Sequence, residues 1–427
     1  AHHQPDRCAY TVLAENGSTE VSVTYRQLER QAQAIAARLQ GLNAAGERVL
    51  LLYTTSMEYI TSFFGCLYAG AVAVPAYPLR SLRPHPRNQA IAQDAQATVA
   101  LTKTSTLPVL QQRVERVPEM KGLRCLGTSY PEPDEDADRW QPPTIRADTI
   151  AYLQYTSGST ASPKGVVLSH QNLLHNLAQI REAFRLGEEE VGVSWLPLYH
   201  DMGLIGGILL TLYAGARLVL FSPTEFAQHP LWWLQAISRY RATVSGGPSF
   251  AYQLCVDRIT PEERATLDLA SWKIASCGAE PVDPDVLERF SEAFAPCGFR
   301  PQAFWPSYGL AEATLVVSTK ANASPPAVIT RPRLSRGQGH VGENHTERRL
   351  VSNGQTLPGQ RVVIVDPESL TPRLPGEVGE IWVSGPSVAQ GYWNRTEETA
   401  RTFEAFLRGS GEGPFLRTGD LGFLQDG

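Results

Sequence analysis

The chain has 427 residues, 42% of them hydrophobic and 19% charged, with a formal net charge of −5 at pH 7. That length fits two or three domains or one multi-lobed body, and the balance excludes a disordered tail protein and a general nucleic-acid binder, which needs a basic field. Six cysteines, at 8, 66, 125, 255, 277 and 297, include no close pair, so reduced, buried thiols in a cytoplasmic protein are expected rather than a disulfide framework or a zinc site.

A first helix is expected to follow Thr24, with Leu28, Ile35 and Leu39 on one face and Gly41 at its end. Residues 48–53 (RVLLLY) read as a buried strand. Residues 59–79 carry no charge over a length that would span a membrane. Gly65, Gly70, Pro75 and Pro78 break them into a helix over 57–69, with Gly70 as its C′ residue, and a short strand at 71–74. Further strands are expected at 98–102, 150–155, 217–221, 242–245 and 273–276. Helices are expected after Ser169 and over 203–213, 231–240 and 284–295. Residues 131–138 (PEPDEDAD) read as a solvated acidic loop.

This alternation, with nearly all-apolar strands, predicts an α/β fold in which helices cover both faces of mainly parallel sheets up to about residue 325. After Val317 the character changes. Residues 320–349 form a polar excursion rich in Pro, Arg and Ser. From Arg361 the chain is β-like, RVVIVDP leading through Pro375-Gly376 into 380–384, so residues 326–427 are expected to hold the excursion and a small β-rich unit.

The strongest chemical signal is Tyr155-Thr156-Ser157-Gly158-Ser159-Thr160-Ala161-Ser162-Pro163-Lys164-Gly165, after an apolar strand and before a helix. Its hydroxyls and backbone N–H groups can wrap phosphate oxygens, and Lys164 adds a point charge. It is not a P-loop, because no G-K-[ST] follows four residues after a glycine. Four more segments follow: Trp195-Leu196-Pro197-Leu198-Tyr199-His200-Asp201-Met202-Gly203-Leu204, Ser276-Cys277-Gly278-Ala279-Glu280-Pro281, Ser307-Tyr308-Gly309-Leu310-Ala311-Glu312-Ala313-Thr314, and Arg417-Thr418-Gly419-Asp420-Leu421.

Together, and in this order, the five segments resemble the adenylate-forming superfamily of acyl-CoA synthetases, luciferases, nonribosomal-peptide adenylation domains and fatty acyl-AMP ligases. The resemblance runs from about residue 24 to the end. It implies that superfamily's large N-terminal domain, two stacked α/β subdomains with a small barrel-like β unit. It also implies ATP and Mg²⁺: phosphates on Thr156, Ser157, Gly158, Ser159, Thr160 and Lys164, the metal on Thr156 and Glu312, and both ribose hydroxyls on Asp420. Adenine would lie against Gly278, Ala279, Glu280, Pro281 and Tyr308, with Ser307 and Gly309 also binding the nucleotide, His200 near the reacting carboxylate and Leu310 on the substrate. His200, Lys164 and Glu312 would be the catalytic groups of a reaction in which two anions meet, so that positioning and charge neutralisation dominate.

Amino-acid-activating relatives need an acidic partner for the substrate ammonium. Their F-D-x-S signature is absent, and Asp201, beside that position in YHDMGLIGGILLTLYAG, reads as structural. Gly203, Gly206 and Gly207 either open a channel for a methylene chain or let a helix pack tightly; the pattern alone allows both. The wording HDMGLIGGILLTLYAGA, GGPSFAYQLC and PSYGLAEATLVVS, with the excursion and the following LVSNGQTLPGQRVVIVDP, resembles fatty acyl-AMP ligases. In that family an insertion here hinders the rotation needed for coenzyme A transfer, which implies a medium- to long-chain fatty acid passed to the phosphopantetheine of an acyl carrier protein. An acyl-CoA synthetase and a non-catalytic nucleotide- or acyl-binding module remain as alternatives, and a free-standing enzyme and a part of a larger synthase would look alike. Ala161 and Ala311 replace a glycine and a threonine common in relatives. Relatives also continue into a C-terminal domain carrying an adenylating lysine, so this chain is expected to be an N-terminal portion that binds ATP, fatty acid and acyl-adenylate but adenylates slowly.

Overall fold

In the computed structural model, residues 2–13, 20–79, 86–156, 163–332 and 347–425 are described. Thr24 starts the first helix chemically. Its hydroxyl accepts the Gln27 N–H while the Gln27 side chain accepts the Thr24 N–H, and this capping box opens Tyr25–Gly41. The uncharged stretch divides as its breakers require, into helix Met57–Ala69, Gly70 in the left-handed region at φ 69°, and strand Val72–Pro75. Among the described residues no helix is long and apolar enough to cross a membrane.

Two large sheets carry the molecule. In the six-stranded sheet, Arg124–Thr128, Val99–Lys103, Arg48–Leu51, Val72–Pro75 and Ile150–Tyr155 run parallel, and Gly165–Ser169 closes one edge antiparallel. In the nine-stranded sheet, six parallel strands from Cys8–Leu13 to Phe304–Tyr308 are flanked by antiparallel edges, and Gln355–Thr356 returns to the outermost position. Strand alternation builds the layers. Val49 and Leu51, with Leu218 and Leu220, face one central core shared with helices Tyr25–Gly41, Met57–Ala69 and His170–Ala183. Leu50 and Leu52 face an outer core under Pro86–Asp94 and Leu107–Arg116. Val219 faces another, under Leu231–Tyr240, Ser249–Arg258 and Pro284–Phe294. All six cysteines are free thiols, four of them buried.

Four expectations change. The hydroxyl-rich loop joins two antiparallel strands rather than a strand and a helix, because GVVLS is fully buried and β-branched enough to pair with Ile150–Tyr155 before the helix starts at His170. The acidic segment is not simply solvated: Asp134–Ala137 is a helical turn, and the buried Glu132 carboxylate lies 2.8 Å from Arg38. The polar excursion begins and ends as an antiparallel ribbon, Val328–Pro332 with Glu347–Val351; residues 333–346 lie outside the described ones. Among the described residues the β-rich end is an open three-stranded antiparallel sheet, Arg361–Val365, Gly379–Ser384 and Leu416–Gly422, rather than a barrel.

The segment leaving that small sheet ties the halves together. Gln390 N–H reaches the Val167 carbonyl at 3.0 Å, Val167 N–H the Gly391 carbonyl at 2.9 Å, and Trp393 N–H the Gly165 carbonyl at 2.8 Å, so residues 390–393 cover the open edge of the six-stranded sheet. Helix His170–Ala183 holds the same segment from beneath. Asn172 donates to the Pro386 and Val388 carbonyls, and the fully buried Asn176 donates to Ser387 and to the Val316 carbonyl while accepting the Val316 N–H. Replacing Asn176 with Leu would strand the buried Val316 N–H. Chemical denaturation should then show a loss of about 2 kcal/mol, the usual cost of an orphaned buried donor.

Candidate active site

A cavity of about 320 Å³ opens where the parallel strands Ile274–Cys277 and Phe304–Tyr308 end, the edge of an α/β sheet at which ligands commonly bind. Gly278, Ala279 and residues 307–312 line its mouth. Two of these positions demand small residues. A Cβ on Gly278 would stand 2.7 Å from the Ser307 carbonyl oxygen, and one on Gly309 only 1.7 Å from that of Leu315. The Tyr308 hydroxyl donates to Asp420 Oδ2 at 2.8 Å, which places Asp420 at the rim. Burial, then the nearby Asp420 charge, pushes the Tyr308 phenol far above its ordinary value, so it stays a proton donor.

Glu312 sits on the Ala311–Ala313 turn, its backbone carbonyl accepting the Ala389 N–H at 2.8 Å and its Oε1 the Tyr392 hydroxyl at 2.8 Å. Burial raises its carboxyl above the usual range, against the Tyr392 hydrogen bond and the Lys164 charge, which pull it down. Lys164 Nζ lies 2.6 Å from Glu398 and 5.0 Å from the centre of the Tyr392 ring. Thr156 N–H bonds the Lys164 carbonyl at 3.2 Å, closing the base of the hydroxyl-rich loop, and the Thr156 carbonyl accepts the Arg87 guanidinium. Ser157, Gly158, Ser159 and Thr160 lie outside the described residues. Thr156 and Glu312 both line the cavity. Among the described residues no group of three or more His, Cys, Asp or Glu converges on a metal position. One hydroxyl and one carboxylate fit an ion such as Mg²⁺ that keeps most of its waters and meets substrate phosphates.

His200 lines the same cavity, its side chain 44% exposed. Its Nδ1 lies 2.6 Å from Asp201 Oδ1, which also accepts the Met202 N–H at 2.6 Å. The chain's own groups thus occupy Asp201. A turn of π-helix, Leu204–Leu209, an insertion frequent at functional sites, contributes Gly206 and Gly207 to the lining. Ile180, Phe184, Leu210, Leu218 and Leu315 wall the cavity, and Glu190, Gly192 and Ala216, at the strands' far ends, close it.

The glycines separate by role. Gly206 and Gly207 face the tunnel, and a Cβ on Gly207 would make only ordinary contacts, 3.7 Å to Leu218 and 3.9 Å to Ser194. Gly203 does not reach it; a Cβ there would stand 2.3 Å from the Pro197 carbonyl oxygen, so it serves tight packing. Leu310 lines the cavity, whereas Glu280 and Pro281 are exposed outside it, with Glu280 accepting the Phe250 N–H at 3.1 Å. Sequence reasoning missed Arg87, Tyr392 and Glu398. Residues 391–399 (GYWNRTEET) carry no phosphate or metal pattern of their own, and only the fold brings them to Lys164 and Glu312.

Residues 1–393 match the family model described as AMP-binding enzyme. The whole chain aligns at 47% identity with a medium-chain-fatty-acid–[acyl-carrier-protein] ligase, JamA, of Moorena producens, covering 74% of that protein. It aligns at 40% with a 4-hydroxyphenylalkanoate adenylyltransferase of Mycobacterium marinum, covering 71% of it. Among solved structures, a fatty acyl-adenylate ligase from L. pneumophila in complex with acyl adenylate and pyrophosphate superposes with a TM-score of 0.91 at 41% identity, over all of this chain and 74% of that one.

The His200–Asp201 pair has a measurable signature. Burial lowers the imidazole's affinity for protons, but the hydrogen bond and charge of Asp201 outweigh it, so the His200 pKa stands above its ordinary value. The pair therefore stabilises the fold fully below the ordinary imidazole range, and that contribution is lost as pH rises through the elevated value. An NMR titration should find His200 titrating above about 6.5, and Asp201→Asn should bring it down.

Proposed function

We propose that this chain, which belongs to the AMP-binding enzymes, activates a medium- to long-chain fatty acid with ATP, forming an acyl-adenylate and releasing pyrophosphate. One observation carries the reading. A single cavity is lined both by a backbone ledge of Gly278, Ala279 and residues 307–309 and by apolar Ile180, Phe184, Leu210, Leu218 and Leu315, with His200 in the same lining. Adenine stacks along Tyr308, and Asp420 holds the ribose hydroxyls. Thr156, Ser157, Gly158, Ser159, Thr160 and Lys164 cradle the phosphates.

In the reaction a carboxylate oxygen attacks the α-phosphorus in line, a new C–O–P linkage forms, and the bond from that phosphorus to the pyrophosphate oxygen breaks. Both reactants are anions, so the site's task is to align them and spread the charge. Lys164 neutralises phosphate charge, and His200 orients the acid at the tunnel mouth. Thr156 and Glu312 would hold Mg²⁺, which when bound supplies further neutralisation of the phosphates. Residues 1–325 supply the nucleotide and acyl sites, and 326–427 bring Asp420 to the rim. The acyl group then passes to the phosphopantetheine of an acyl carrier protein in the cytoplasm; the carrier-protein ligase among the relatives supports that acceptor.

Calorimetry with acyl-sulfamoyl adenosines tests the assignment without requiring turnover. The dodecanoyl compound should bind and an aminoacyl one should not, and Asp420→Ala should abolish binding; preference for the aminoacyl compound would sink the fatty-acid reading. Gly207→Phe should project into the tunnel and weaken the dodecanoyl compound by about fourfold for each methylene excluded, from about 0.8 kcal/mol per buried CH₂, while leaving an acetyl compound unaffected.

A further inference from the structure

Lys164 and Glu312 come from different sheets. One precedes the edge strand Gly165–Ser169; the other lies on the turn after Phe304–Tyr308. Tyr392 touches both. Its hydroxyl donates to Glu312 Oε1 at 2.8 Å, and its ring lies under Lys164 Nζ at 5.0 Å, within the range of a cation–π contact. The residue is itself held on several sides. Its backbone bridges Val166 antiparallel, its N–H reaches Thr399 Oγ1 at 2.9 Å, and its ring meets Phe403 edge-on with centroids 5.1 Å apart. The flanking Ala389 N–H also holds the Glu312 backbone carbonyl.

We infer that Tyr392 is a positioning residue of the adenylation site, its hydroxyl aiming the Glu312 carboxylate and its ring holding the Lys164 ammonium. The inference rests on the reading of Glu312 as the metal-facing carboxylate and Lys164 as the phosphate lysine. The two contacts use different parts of one side chain, so they separate by mutation. Lys164 is also paired with Glu398 at 2.6 Å, so the ring and the carboxylate hold the ammonium from two sides. The hydroxyl has the part of an outer partner that orients a metal's carboxylate, whose loss typically costs tenfold or more in metal affinity.

Mn²⁺ is a usable probe, because its binding to the protein–ATP complex can be followed by electron paramagnetic resonance. Tyr392→Phe keeps the ring, and should weaken Mn²⁺ by about tenfold while leaving unchanged the affinity for ATP in EDTA and for dodecanoyl-sulfamoyl adenosine. Tyr392→Leu should in addition weaken ATP in EDTA. Wild-type Mn²⁺ affinity in Tyr392→Phe overturns the proposal. So does a parallel loss of sulfamoyl-adenosine binding and melting temperature, which would mark a merely structural residue. Glu312→Gln tells the two readings apart. If it too leaves Mn²⁺ affinity intact, the metal role of Glu312 fails, and Tyr392 with it; if it abolishes binding while Tyr392→Phe does not, only the Tyr392 proposal fails.

Discussion

The backbone pairing of residues 390–393 with the edge strand Gly165–Ser169 is the constraint on which the site depends. A sheet edge left open beside a ligand cavity would expose unpaired amide groups. Here a segment arriving from the small C-terminal sheet covers it. That one return does three things: it fixes the strand that follows Lys164, binds the Glu312 turn through Ala389, and brings Tyr392 between the two. Asn172 and Asn176 brace the segment from the helix beneath, so the edge cover and the central core are one body.

Charged side chains are paired around this cover. Glu398 shares Lys164 with the Tyr392 ring, Asp94 and Glu398 both face Arg395, and Arg87 lies against the carbonyl of Thr156. Lys164, Arg395 and Arg87 thus each have a partner within the chain.

The deeper cavity shows how chemistry and packing divide the same residue type. Gly203 and Gly309 are small because backbone carbonyls press on them, whereas Gly207 lines the cavity with room for a Cβ at ordinary contact distances. A turn of π-helix is what separates these roles along HDMGLIGGIL, because the extra residue per turn swings Gly206 and Gly207 toward the tunnel while Gly203 stays against Pro197.

Much was legible in the chain. Thr24, Gly70 and the breakers of residues 59–79 announced their caps and turns, because capping and left-handed backbone are local requirements met by few residue types. The apolar strands announced buried parallel sheets, and five ordered segments announced the family. What the sequence did not settle is non-local. GVVLS pairs as a strand only because Ile150–Tyr155 stands beside it. Glu132 is buried with Arg38, 94 residues away, and the Ser129 N–H on its carboxylate, and the ribbon Val328–Pro332 exists only with its partner Glu347–Val351. Gly203 and Gly207 are the same letter until Pro197 and Leu218 are placed around them. Tyr392 shows the same limit in the site itself, 80 residues from Glu312 in the chain and 2.8 Å from it in space. By itself the sequence determined most helices and strands and their caps, because those depend on neighbours along the chain. The tertiary structure alone decided which loops meet, because that depends on which sheet edges pair and which side chains share a core.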